Sequence, residues 1–154
     1  MRILGIDPGT SCGWAVLSKG EHVASGVWDL KPRRHEGGGM RYLRLDAYLR
    51  EALSGVGAVY IEEVRRHAGT SAAHVYGGIL ATVQKRCEAQ GIPYASIPVG
   101  TVKKAATGRG NASKALMIAA AQKEWPTVEI EDDNHADALW IALVGGQQWH
   151  AGSM

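Results

Sequence analysis

The stretch that decides the fold is RILGIDPGT, residues 2–10. Arg2 to Asp7 is a short, mostly apolar run halted by Pro8-Gly9, the pattern of a buried strand that ends at a turn with an aspartate at its exit. Working outward, Gly13–Ser18 and His22–Leu30 are rich in β-formers and bounded by glycine, and Lys19-Gly20 between them suits a hairpin connection. These runs predict a meander of three strands. Ala58–Glu62 (AVYIE) is a further apolar run with a charged exit, and Tyr94–Ile97 is a fifth, brief one. Helical signals fill the gaps. Tyr42, Leu45, Leu49 and Leu53 recur at spacings of three and four, and Val75, Tyr76, Ile79, Leu80, Val83 and Cys87 keep helical phase through Ser71–Gln90 until Gly91-Ile92-Pro93. Pro98 can open a short helix to Ala106. Ser113–Trp125 and Asn134–Val144 read as the last two helices, divided by Pro126 and closed by Gly145-Gly146. The order predicts an α/β domain: a five-stranded mixed sheet, three-strand meander plus two parallel strands, flanked by helices. A right-handed crossover sets the fourth strand parallel to the first and beside it. The domain is expected to span residues 1–146, with 147–154 a frayed tail.

The composition agrees with one domain. The chain has 154 residues, 45% of them hydrophobic and 21% charged, with a net charge of +2, too small to imply nucleic-acid binding by itself. The distribution says more. Arg65 to Lys114 holds eight basic residues and the single acid Glu88, whereas Glu124 to Asp137 holds six acids and no Lys or Arg. Cys12 and Cys87 have no metal-ligand neighbours, which argues against a disulfide scaffold or a zinc module and for the reducing cytoplasm. Neither a leader peptide nor a membrane span is expected. Lys31–Gly39 (KPRRHEGGG) lacks any apolar residue and reads as a mobile loop.

The acids carry the chemistry. Asp7 and Glu62 end strands that, if adjacent and parallel at about 4.8 Å, project both carboxylates from one edge of the sheet. Asp137 lies inside the apolar stretch ADALWIALV (136–144), where an unpaired carboxylate facing the sheet is costly and a metal ion would relieve it. Asp133 shares its helix face at i−4. Hard oxygen ligands select Mg²⁺ or Mn²⁺, and two such ions roughly 3.5–4 Å apart clamp the attacking and leaving oxygens of a phosphodiester. Simpler roles exist for each residue: Asp7 as a turn former, Glu62 as a solvated end, Asp132 and Asp133 as helix-capping acids.

Four stretches resemble the RuvC family of Holliday-junction resolvases, in the RNase H-like superfamily: GIDPGT (5–10), IEEV (61–64), VKKAATGRGNASK (102–114) and HADALWIA (135–142). Their order and spacing agree across nearly the whole chain. The resemblance implies an RNase H-like fold and a homodimer that cuts four-way or other branched DNA. It carries over Asp7, Glu62 and Asp137 as metal ligands and Lys103 and Lys114 as basic residues near the scissile phosphate. It also implies 5′-phosphate and 3′-hydroxyl products, and no nucleotide cofactor. Family members commonly have an acid or His three residues before the last Asp; here that position is Asn134. Asp133 is therefore the preferred fourth ligand, His135 the second choice, with Asn134 and Asp132 also open. Where known members carry a junction-wedging aromatic, this chain has Arg65. The short chain and the DDNHADA form look more like phage or prophage members.

Arg65, Arg66, His67, Lys85, Arg86, Lys103, Lys104, Arg109 and Lys114 fall on segments assigned to the carboxyl edge of the sheet, and Arg33 and Arg34, with Lys31, add a basic loop, so a phosphate-tracking surface is expected. Trp14, Trp28 and Trp140 are expected in the core, Trp125 and Trp149 near the surface. Tyr76, Ile79, Leu80 and Val83 suit either the core or a partner. Three other readings compete: an RNA-processing nuclease of the same superfamily, an ATP-binding module of the actin and sugar-kinase type, whose first phosphate loop IDPGT also resembles, and an inactive branched-DNA-binding module.

Overall fold

A computed structural model describes residues 1–152. Strands β1 (Arg2–Asp7), β2 (Ser11–Ser18), β3 (Glu21–Asp29), β4 (Val56–Glu63) and β5 (Tyr94–Pro98) form one sheet in the order β3-β2-β1-β4-β5. The meander β1-β2-β3 is antiparallel, and β4 and β5 are parallel to β1, as the sequence predicts. Helices α1 (Met40–Ala52) and α2 (Thr70–Gln90) cover one face; α3 (Val99–Thr107), α4 (Lys114–Glu124) and α5 (Asp133–His150) cover the other.

Strand alternation sorts the side chains between these layers. Ile3, Ala58 and Tyr60 join the core under α5, whereas Leu4, Ile6, Val59 and Ile61 join the core under α1 and α2. Asp7 lies two past Gly5, and Glu62 two past Tyr60, so both point toward α5. Glycine lets that helix come close. A Cβ on Gly5 would lie 2.5 Å from the Ala138 carbonyl oxygen and from the Ala142 nitrogen, and one on Gly13 would overlap the Asn134 carbonyl. The helix thus rests on bare backbone of β1 and β2.

Several expectations need correction. Gly145-Gly146 does not stop the last helix, which continues to His150; a Cβ on Gly145 would collide with the Tyr60 ring, so this glycine serves packing. The expected tail from 147 is therefore helical through His150, and residues 153–154 lie outside the described residues. The Lys31–Gly39 loop is anchored: Glu36 accepts from the Arg33 amide at 2.7 Å and pairs with Arg44, and Arg41 Nε donates to the Leu30 carbonyl at 3.1 Å. Trp125 is buried edge-on against Trp140, its indole N–H donating to the Gly20 carbonyl at 3.1 Å; Trp149 is half-buried against the same core. Ile79 and Val83 are fully buried, which assigns them to the core, with Tyr76 and Leu80 half-buried beside them.

Candidate metal centre and nucleic-acid surface

β1, β4 and β5 all end at the carboxyl edge of the sheet, and α5 begins beside it and runs back along the sheet face. Ile6 pairs with Ile61, so the next residues, Asp7 and Glu62, leave their strands side by side. Asp137 reaches them from the start of α5. One carboxylate oxygen from each of the three lies within 4.8 Å of the others. Among the described residues no other group of three or more His, Cys, Asp or Glu converges in this way. Asp7 and Glu62 are each only 8% exposed, and Asp137 Oδ1 is buried with no hydrogen-bond partner. Among the described residues none of the three is ion-paired to Lys or Arg.

Burial and mutual repulsion oppose ionisation here. Burial first, then the charges of Glu62 and Asp137, raise Asp7 well above the ordinary carboxylate value. Burial pushes Glu62 up to about 7. Burial, then Glu62 and Asp133, push Asp137 to about 7, while Lys103 pulls against the rise at both Glu62 and Asp137. An orphaned buried oxygen within three repelling oxygen donors fits a hard divalent cation, which supplies the missing positive charge.

The residues around the triad sort themselves by their contacts. Asp133 stands outside the triad, one turn before Asp137, with Lys114 Nζ at 3.9 Å, and its charge raises both Asp7 and Asp137. The other fourth-ligand choices are engaged elsewhere. Asp132 caps α5 by accepting from the His135 amide at 2.8 Å, and its second oxygen accepts from Asn134 Nδ2 at 3.3 Å. His135 is buried facing β3, with both ring nitrogens hydrogen-bonded, to the Glu131 amide and to Ser25, and burial lowers its pKa. Sequence reasoning did not find Ser25, nor the part played by Tyr76, whose hydroxyl donates to the Glu62 carbonyl at 3.3 Å and accepts from the Val64 amide at 3.4 Å.

No family model matches the chain. It is 30% identical over 152 residues to the crossover junction endodeoxyribonuclease RuvC of Gluconobacter oxydans (strain 621H), covering 93% of this chain and 88% of that protein. It is 31% identical over 159 residues to the protein of the same name from Synechococcus sp. (strain CC9311), covering 94% and 98%. The chain belongs to the RuvC family of crossover junction endodeoxyribonucleases. Its fold agrees with T. thermophilus RuvC, solved in complex with Holliday junction substrate, at a TM-score of 0.86 and 28% identity over 99% of this chain and 97% of that one. Membership in the RuvC family sets aside the actin and sugar-kinase module.

The basic residues divide by the same topology. Arg65 and Arg66 are exposed just past β4, Arg65 paired with Glu63 at 3.2 Å, and the His67 ring tilts against Tyr76 at 5.1 Å. Lys103 is half-buried on α3, and Lys104 on the same helix, Arg109 in the turn after it and Lys114 at the start of α4 are exposed. The anchored loop presents Lys31, Arg33 and Arg34 past β3, whose end lies at this same edge. Lys85 and Arg86 depart from expectation. They lie fifteen and sixteen residues into α2, roughly 22 Å down a helix that runs away from the carboxyl edge. Arg86 holds Asp46 through Nε at 2.9 Å and Nη2 at 2.8 Å. No helix among the described residues is long and apolar enough to cross a membrane.

Proposed function

We propose that this chain is a metal-dependent, structure-selective endodeoxyribonuclease that resolves Holliday junctions and other branched DNA in the cytoplasm, working as a homodimer whose two sites match a two-fold substrate. The observation that carries this reading is the buried Asp7–Glu62–Asp137 triad, ion-paired to no Lys or Arg among the described residues and set at an edge lined with exposed Lys and Arg. Asp7, Glu62 and Asp137, joined by Asp133 at the rim, would hold two Mg²⁺ ions, for which Mn²⁺ could substitute. Bound there, the ions supply Lewis acidity toward the attacking water and the leaving 3′ oxygen of a phosphodiester. Lys103 meets the negative charge that grows on the phosphate, and its half-burial strengthens that effect by excluding water. Lys114, beside Asp133, holds the strand at the rim. Arg65, Arg66, His67, Lys104 and Arg109 follow the phosphates on one side, and Arg33 and Arg34 on the other.

The test is to incubate the full chain with Mg²⁺ and a four-way junction, a Y-fork, a linear duplex or an RNA stem. Paired cuts in the junction, with little cutting of duplex, are expected. Equal cutting of junction and duplex overturns structure selectivity, and cutting of RNA alone transfers the assignment to an RNA-processing nuclease.

A further inference from the structure

Because α5 rests on the bare backbone of Gly5 and Gly13, no side chain of β1 or β2 at those points resists the helix rolling about its axis. A roll matters here: Asp133 and Asp137 sit one turn apart on α5, so rotation sweeps both carboxyls across the site. On the side of the helix away from the triad, a chain of hydrogen bonds opposes this motion. The Glu131 amide donates to His135 Nδ1 at 3.1 Å, so the ring proton resides on Nε2, which donates to Ser25 Oγ at 2.7 Å. Ser25 Oγ shares a second hydrogen bond, at 2.7 Å, with Nε2 of His22. The His135 backbone amide is held as well, by the capping Asp132 at 2.8 Å. His135 is 2% exposed, and the three side chains line one wall of a cavity of about 400 Å³ together with Glu129 and Glu131. The strut therefore ties the first turn of α5 to β3, while Asp137 reaches the opposite way to β1 and β4.

We propose that His135, Ser25 and His22 form a positioning strut that sets the roll of α5 and so the placing of Asp137 and Asp133 relative to Asp7 and Glu62. None of the three touches the substrate or the metal; they act through the helix. This inference rests on the metal-centre reading above.

The experiment measures Mn²⁺ binding to the full chain by electron paramagnetic resonance of the free ion, far below the unfolding temperature, for the unaltered protein, Ser25→Ala, Ser25→Thr and Asp7→Asn. Ser25→Ala should weaken Mn²⁺ binding by roughly tenfold, as loss of a supporting hydrogen bond around a metal site does. Ser25→Thr, which keeps the hydroxyl, should restore it. Cleavage by Ser25→Ala should recover at saturating Mn²⁺, and its junction binding in EDTA should equal that of the unaltered protein. A merely structural serine would lower thermal stability without moving the Mn²⁺ affinity. Unchanged affinity in Ser25→Ala, alongside lost affinity in Asp7→Asn, overturns the strut alone. No Mn²⁺ binding by the unaltered protein overturns both the strut and the metal centre.

Discussion

Asp46 and Asp137 are both partly covered helical aspartates, and the molecule treats them in opposite ways. On the α1–α2 face, Asp46 accepts a forked pair of bonds from Arg86 at 2.8–2.9 Å and a contact from Arg50 at 3.2 Å, and these cations hold its carboxyl below the ordinary value. On the α5 face, Asp137 faces two more carboxyls, leaves a buried oxygen unpartnered, and is pushed up to about 7. No Lys or Arg among the described residues is ion-paired to Asp137, and Lys103 only partly offsets the rise, so the cluster suits a cation from outside the chain. The Asp46 charge is neutralised by an ion pair within the chain; the carboxyls of Asp7, Glu62 and Asp137 are not.

The comparison breaks most visibly at Asp7. Asp7→Asn should cut junction cleavage by roughly 10³-fold, in the manner of losing a principal electrostatic group. The metal-free protein should meanwhile become more stable, by roughly 1–2 kcal/mol in denaturant titration, because a repulsive site has been relieved. A metal-free variant less stable than the parent would mean the triad contributes to folding. Lys103→Ala comes next, with a loss of about 10²-fold in single-turnover rate and little change in junction affinity, since its charge acts at the reacting phosphate. Arg86→Ala should reverse the pattern: a stability loss of about 1–2 kcal/mol from a partly exposed forked pair, with cleavage and the salt dependence of DNA binding unchanged.

The three acids that converge could be picked out from sequence because they stand where local pattern is strongest. Asp7 and Glu62 terminate apolar runs, and Asp137 interrupts one, so each violates its surroundings in a way a strand or helix pattern exposes. What escaped depends on contacts between distant segments. His135 looks like a metal ligand until Ser25, 110 residues away, is seen to occupy its ring. Arg86 looks like a DNA contact until α1 brings Asp46 to it. Gly145 looks like a helix stop because glycine usually is one, and only the Tyr60 ring explains why a helix needs the gap. Residue type and spacing report local geometry; which partner arrives across the fold is decided by packing.

The smallest expected effect is the most direct reading of the triad's electrostatics, because it follows protons where the other predictions follow substitutions. Glu62 and Asp137 hold protons up to about pH 7 in the folded metal-free chain and release them in the ordinary carboxylate range when unfolded. A folded value raised above the unfolded one stabilises at low pH, and that contribution fades as pH rises through about 7. Metal-free protein should therefore lose a few degrees of Tm between pH 5 and pH 8, as scanning calorimetry in EDTA would show. The Asp46 pair points the other way, since its lowered value stabilises above the ordinary carboxylate range and fails only under stronger acid. Mg²⁺ requires the deprotonated carboxylates, so its affinity should climb over the same interval and its stabilising effect should be largest at pH 8. In a Glu62→Gln, Asp137→Asn double variant the slope of Tm against pH should flatten, and in Arg86→Ala it should persist. A slope that survives in the double variant would locate the proton uptake away from Glu62 and Asp137 and remove the electrostatic basis for placing a metal there.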